Sequence, residues 1–152
     1  MNLKALSRCR KSYVLTFLLI MSLPACSPQN VESRSDKLKR VWTAQTVKEN
    51  SSLVYTKGGA GNIRNYDSFR LDLSSPPAVS FTDYEGSTFT GQYQLQTDTR
   101  LVLKGLSPIP TSTSGTIEFT INAVNDNQLD LTRTTSSPKT GGSTNQYVLT
   151  NP

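Results

Sequence analysis

From residue 38 onward, apolar and polar residues alternate in short runs that are separated by glycine, proline, asparagine and aspartate. In residues 69–73 and 117–121, for example, every second residue is aliphatic or aromatic and the residues between them are polar. This period of two is typical of strands with one buried face, and no stretch of the domain keeps the 3.6-residue period of an amphipathic helix. The pattern therefore predicts an all-β domain.

The alternating runs predict eight or nine strands at a spacing of roughly ten residues. They are centred on residues 38–47, 53–55, 66–73, 79–81, 89–95, 101–103, 117–121, 129–131 and 147–149. The segments between them are too short to hold crossover helices, so we expect neighbouring strands to pair antiparallel, mainly as hairpins. Such a sheet either closes into an up-and-down barrel or folds into a sandwich, and the pattern alone does not distinguish the two.

The first 25 residues have the pattern of an export signal. Four basic residues and no acidic one precede an apolar run at residues 13–23, which is 11 residues long. A helix that spans a bilayer needs roughly 17 to 25 apolar residues, so this run is too short for one and fits the apolar part of a signal peptide. We therefore predict that residues 1–25 are removed on export.

The sequence Leu23, Pro24, Ala25 and Cys26 resembles the lipobox of bacterial lipoproteins, in which a small residue precedes the cysteine that receives lipid. The resemblance implies cleavage before Cys26, lipid on its thiol and amine, and anchoring in a membrane of the bacterial cell envelope, with the outer membrane as the expected location. Plain secretion is the alternative. Cys9 lies in the removed segment, so Cys26 is the only cysteine of the mature chain and no disulfide is expected.

Residues 26–37 follow the predicted cleavage site. They are polar and of mixed charge, with a single aliphatic residue. Such a segment cannot bury enough apolar surface to fold. We therefore expect a flexible tether between the lipid anchor and a folded domain at residues 38–152.

Charge and composition exclude several classes of function. The chain has 16 lysines and arginines against 11 aspartates and glutamates, a formal charge of +5. Four of the basic residues lie in the predicted signal, which leaves 12 against 11 in the mature chain, so no nucleic-acid partner is indicated. Histidine is absent and the one mature cysteine is expected to carry lipid, so the common catalytic pairs and Cys/His metal sites are missing. We predict neither a metal nor another cofactor.

Two carboxylates on one strand face, those of Asp83 and Glu85, leave a small hydrolase as a remote alternative, because close carboxylates raise the pKa of one of the pair. We interpret both as solvated residues that lead into a turn at Gly86. The sequence therefore predicts a protein that is not an enzyme.

The domain resembles the small lipocalin-like lipoproteins of the Bacteroidetes type over residues 38–134. The resemblance rests on the lipobox and short tether, on Trp42 near the start of the first strand, and on a meander through residues 89–95 and 101–103. It implies an eight-stranded antiparallel barrel, whose lumen is either filled by side chains or holds one small apolar ligand.

For this barrel we predict a non-enzymatic binding module for a small hydrophobic ligand. The expected ligand-binding residues are inward-facing side chains near one barrel mouth: Phe69, Leu71, Phe81, Phe89, Tyr93 and Phe119. The alternative is a solid-packed barrel that serves as a structural or interaction module of the envelope and binds a protein or glycan partner. A dry cavity of about several hundred Å³ would indicate the first function, and continuous packing the second.

The resemblance also implies a contact that closes the barrel. In lipocalins the first-strand tryptophan is commonly covered by an arginine from near the last barrel strand. Arg133 follows Leu129 and Leu131 at even spacing and would face inward in a continuing strand, which predicts that its guanidinium covers Trp42. The alternatives are that Arg40 covers the ring and that Arg133 is solvated at a fraying strand end.

Overall fold

The computed structural model describes residues 32–152, so the predicted signal, Cys26 and the first half of the predicted tether lie outside the described residues. Within residues 32–152, one short helix, α1 (Arg34–Leu38), is followed by nine strands. The strands are β1 (Val41–Glu49), β2 (Ser52–Thr56), β3 (Arg70–Asp72), β4 (Ala78–Thr82), β5 (Thr88–Thr97), β6 (Arg100–Ser107), β7 (Ile117–Val124), β8 (Gln128–Arg133) and β9 (Asn145–Thr150). A turn of 3-10 helix at Pro138–Thr140 lies between β8 and β9. No helix of this part of the chain has the length and apolarity needed to cross a bilayer.

The strands form one closed antiparallel sheet. β1 is hydrogen-bonded to β3 on one side and to β9 on the other, so β1 and β3 to β9 close a barrel in up-and-down order. β2 is an additional strand that pairs with the second half of β1. The predicted all-β class and barrel are confirmed, and the closure of the sheet excludes the sandwich.

The connections alternate between the two ends of the barrel because consecutive strands are antiparallel. One end, called the mouth below, carries the β1–β2 turn and the connections at residues 83–87, 108–116 and 134–144. The other, called the capped end, carries α1 and the connections at residues 73–77, 98–99 and 125–127.

Helix α1 seals the capped end. Its start is fixed by Ser33, whose Oγ accepts a hydrogen bond at 3.1 Å from a backbone N–H of the first turn. At its other end Leu38 is fully buried, and the Leu38 carbonyl accepts a hydrogen bond from Trp42 Nε1 at 3.1 Å. Arg40 donates to the carbonyl of Asp126 in the β7–β8 turn, which ties the entry to β1 to a neighbouring connection.

The lumen is filled by the inward-facing alternate residues of the strands. Those that are at most 1% exposed include Trp42, Leu71, Leu101, Leu103, Phe119, Leu129, Leu131 and Leu149. Burial of each such side chain stabilises the fold by roughly 1.5 to 3 kcal/mol, and protein interiors of this kind are packed as densely as organic crystals. Away from the mouth, the barrel interior is therefore a packed core.

Two elements differ from the sequence prediction. The pattern predicts a tether through residue 37 and a strand from residue 38, whereas Arg34–Leu38 form α1 and β1 begins at Val41. It also predicts a strand over residues 66–73, of which only Arg70–Asp72 pairs with neighbouring strands. Tyr66 and Phe69 lie in a turn before β3 instead, with the Phe69 N–H donating to the Tyr66 carbonyl at 3.0 Å.

Candidate ligand site at the barrel mouth

A recess opens at the mouth among the connections between β4 and β5, β6 and β7, and β8 and β9. Its volume is about 40 Å³, which is space for a few water molecules and far less than the several hundred Å³ of a typical ligand cavity. The barrel therefore offers a small site at its mouth rather than a deep, open lumen.

Five rings form one wall of the recess, called the aromatic wall below. Phe81 in β4 and Phe89 in β5 lie directly opposite each other, with ring centroids 5.9 Å apart in a stacked arrangement. Phe69 stacks on Tyr147 of β9 at 4.8 Å and packs edge-on against Phe81 at 5.6 Å. Tyr66 packs against Phe69 at 6.2 Å. Offset and edge-on pairs of this kind are the favourable aromatic geometries, so the rings stabilise one another in the wall.

The structure brings three of the six predicted ligand residues to the recess. Phe69, Phe81 and Phe89 line it. Leu71 and Phe119 lie in the packed core instead and have almost no exposed surface. Tyr93 is buried toward the capped end, where its hydroxyl donates to the carbonyl of Leu73 at 3.0 Å. A period of two indicates which face of a strand is buried but not how deep each residue lies along the barrel axis.

Other lining residues were not predicted as ligand-binding residues. They include Tyr66, Pro110, Ile117, Arg133 and Tyr147. The even spacing of Ile117 with Phe119 and of Tyr147 with Leu149 indicates that these side chains face inward. Tyr66 and Pro110 lie in irregular segments, where no sequence period indicates the direction of a side chain.

A salt-bridge cluster closes one side of the rim. Lys139 Nζ lies 2.7 Å from Asp83 Oδ2 and 2.6 Å from Glu85 Oε2, and the Tyr84 hydroxyl donates to the Lys139 carbonyl at 2.8 Å. The hydrogen bond from Lys139 lowers the pKa of Glu85, and the hydrogen bonds to Asp83 and, second, to Glu85 raise the pKa of Lys139. The cluster ties the β4–β5 turn to the connection between β8 and β9.

Asp83 is buried, with 7% of its surface exposed, which corrects the interpretation of this residue as solvated. Its Oδ1 accepts hydrogen bonds from the backbone N–H groups of Glu85 and Ser87, both at 3.0 Å, and its Oδ2 pairs with Lys139. Both carboxylate oxygens of Asp83 therefore have partners that hold the turn. Within residues 32–152 no group of three or more histidines, cysteines or carboxylates could hold a metal ion.

A second ion pair lies where the segment after β2 returns to the mouth. Arg64 Nε donates to Glu49 Oε1 at 2.6 Å, and the Tyr66 hydroxyl donates to the same oxygen at 2.9 Å. The Arg64 guanidinium also lies over the Tyr84 ring, 5.0 Å from its centroid. These contacts fix Tyr66 in the aromatic wall and neutralise Glu49.

Arg133 is the last residue of β8 and lines the recess. In the pairing of β7 with β8 its cross-strand partner is Phe119. Its Nε is buried and has no hydrogen-bond partner among the described residues. Burial lowers the pKa of the guanidinium. Burial also raises the pKa of the neighbouring Tyr147 to about 12, so this phenol is neutral at ordinary pH and supplies no negative charge.

The predicted contact between Arg133 and Trp42 does not form, because the two residues lie at opposite ends of the barrel. Trp42 is next to the capped end, beneath Leu38. β9 begins at the mouth and ends at the capped end. Its residues Leu149 and Tyr147 pair with Leu129 and Leu131 of β8, so β8 runs the opposite way and ends at the mouth with Arg133. Even spacing correctly places Arg133 on the inward face, but the register decides which end of the barrel it occupies.

No protein-family description matches the chain, and no curated protein matches it. Among solved structures, the fold is similar to that of a lipocalin-like protein from Bacteroides uniformis ATCC 8492, with a TM-score of 0.51 and 15% sequence identity over 76% of this chain and 99% of that chain. An uncharacterized protein from Bacteroides eggerthii DSM 20697 is aligned with a TM-score of 0.48 and 14% identity over 74% of this chain and 98% of that one. The first likeness establishes a lipocalin-like barrel fold.

Proposed function

We propose that this domain is a non-enzymatic binding module that holds a small apolar molecule at the mouth of its barrel. The observation that carries the proposal is the aromatic wall, which gives the recess a largely apolar lining on one side. Recesses lined by aromatic rings with a few polar groups are the usual form of small-molecule sites. The lipocalin-like fold supports the proposal, because barrels of this size present one accessible mouth.

The packed core restricts how such a ligand binds. With about 40 Å³ of space in the recess, only one end of the ligand enters, and the rest lies along the mouth. The β6–β7 connection offers apolar surface there, since Pro110 lines the recess and its neighbour Ile109 is 70% exposed. The ligand is therefore held by its end rather than enclosed.

We further propose that the module is a lipoprotein of the bacterial cell envelope, anchored through Cys26 in the outer membrane after removal of residues 1–25. The support is the signal pattern and the lipobox resemblance at residues 23–26. Several acyl chains, each stabilised by about 0.8 kcal/mol per buried CH₂ group, hold a protein at a membrane without any basic patch.

The proposed binding is tested by titrating the full chain with the neutral fluorescent probe N-phenyl-1-naphthylamine. We expect saturable binding that weakens about tenfold when Phe81→Leu and Phe89→Leu are combined, because two of the five rings of the aromatic wall are lost. The control is Leu129→Ala, which removes a buried core side chain next to the capped end and should leave the affinity unchanged while lowering stability.

The packed core also favours a second function, a structural or interaction module of the envelope that binds a protein or glycan partner through its outer surface. The same titration separates the two functions. Absence of saturable probe binding, or equal affinity in the two-ring variant and in the wild type, would contradict the small-molecule function and favour this second one.

A further inference from the structure

The charged residues around the recess are unevenly paired. Lys139 is paired with Asp83 and Glu85, and Arg64 is paired with Glu49. The oxygens of Asp83 and Glu49 that face the mouth are therefore already engaged by cations or hydrogen-bond donors. Arg133 belongs to none of the ion pairs formed within residues 32–152. By count the three cations match the three carboxylates, but two of the carboxylates are paired with Lys139, so the Arg133 guanidinium is left without an ion-pair partner.

The position of Arg133 makes the missing partner costly, because its Nε is fully buried although part of the side chain is exposed. A guanidinium stays charged in proteins and offers five N–H donors in one plane. A buried donor without an acceptor and a desolvated charge without a partner are both unfavourable. Among the described residues, the guanidinium that lies over an aromatic ring is that of Arg64, so Arg133 is not compensated in this way either.

We propose that Arg133 binds the anionic end of the ligand, and that the ligand is therefore an amphipathic monoanion with a carboxylate head. This inference rests on the proposed function, since it concerns the same recess. A volume of about 40 Å³ suits the few atoms of a carboxylate and excludes a bulky head group. The planar guanidinium matches the two carboxylate oxygens, while the apolar body of the ligand lies against Phe81 and Phe89 of the aromatic wall.

Paired probes that differ only in their head group test the inference on the full chain. Hexanoate and hexan-1-ol share a six-carbon body, and acetate has the same head as hexanoate without that body. Binding is followed in every variant through the backbone amide signals of Phe81 and Phe89, which line the recess, and in the wild type also through the ¹⁵N–¹H signal of Arg133 Nε, which is assigned by its disappearance in Arg133→Lys. We expect hexanoate to shift this signal and to bind at least tenfold more tightly than either hexan-1-ol or acetate.

Removal of the charge provides the second measurement. Arg133→Met keeps an apolar stem but no guanidinium, and it should abolish the preference of the site for hexanoate over hexan-1-ol. The matched control is Arg100→Met, because Arg100 is half-exposed and pairs with Glu118 away from the recess. This control should keep the full preference.

Each contrary result has a distinct meaning. Equal binding of hexanoate and hexan-1-ol at the mouth overturns the role of Arg133 but leaves the proposed function standing. Acetate binding as tightly as hexanoate overturns the amphipathic ligand and indicates a site for a free small anion. Absence of binding by every probe overturns both the inference and the proposed function. The wild-type comparison gives a result even if Arg133→Met fails to fold.

Discussion

At the scale of single residues, hydrogen bonds and ion pairs hold several side chains in place around the mouth. Asp83 accepts two hydrogen bonds from backbone N–H groups of its own turn. It also forms an ion pair with Lys139, which lies in the connection between β8 and β9. An exposed ion pair contributes little to stability, but removing one partner of a buried pair leaves the other uncompensated. Asp83 therefore belongs to the framework that shapes the recess.

We expect Asp83→Asn to lower the free energy of unfolding by about 1 to 3 kcal/mol, because the turn loses a charged acceptor and Lys139 keeps only its exposed partner Glu85. Denaturant unfolding at neutral pH measures this loss. The control is Asp98→Asn at the exposed β5–β6 turn, for which the change should be close to zero. Equal stabilities of the two variants would show that the buried ion pair is without effect.

At the scale of elements, the sequence predicts faces well and positions along the barrel axis poorly. The strands around residues 117–121 and 129–131 follow directly from alternation, because each buries one face along its whole length. Helix α1 is not predicted because five residues are too few to display a helical period. Only half of the predicted ligand residues lie at the recess. Phe89 and Phe119 both belong to alternating runs, but the register of the strand pairing places Phe89 at the mouth and Phe119 deeper in the core.

Helix α1 owes its place to Leu38, which covers Trp42 at the capped end. We expect Leu38→Ala to lower the free energy of unfolding by about 2 to 5 kcal/mol, the usual effect of a cavity in a packed core. Because Trp42 is the only tryptophan, its fluorescence should shift to longer wavelength as water approaches the ring. Leu53→Ala, at a side chain that is about half exposed, should change neither quantity, and an unshifted emission in Leu38→Ala would contradict the sealing role of α1.

At the scale of the whole molecule, the two ends of the barrel have different roles. The capped end carries α1, where the described part of the chain begins, and the mouth carries the candidate site. About seven residues separate Cys26 from Ser33, and they span at most about 25 Å. A lipid on Cys26 would therefore hold the capped end near the bilayer and direct the mouth away from it.

This orientation is measurable on vesicles that contain a dansyl-labelled lipid. We expect stronger energy transfer to the dansyl group from Trp42, near the capped end, than from a tryptophan at the mouth in the double variant Trp42→Phe, Tyr84→Trp. A Cys26→Ser variant, which lacks the thiol that accepts lipid, should show no transfer in either background. Equal transfer from the two positions would contradict the orientation.

The pairing of β1 with β9 also determines when the molecule can fold. The first and last strands of the barrel share a ladder from Thr43 to Glu49, so closure joins segments that lie far apart in the chain. Contacts of such long range make folding slow, and they cannot form until the whole domain has emerged from a ribosome or a translocation channel. Until then the edge of β1 that pairs with β9 has unpaired backbone N–H and C=O groups, which can pair with strands of other chains. If the chain is exported amino end first, β9 is the last strand to emerge. The edge of β1 is therefore protected from aggregation only after β9 has paired with it.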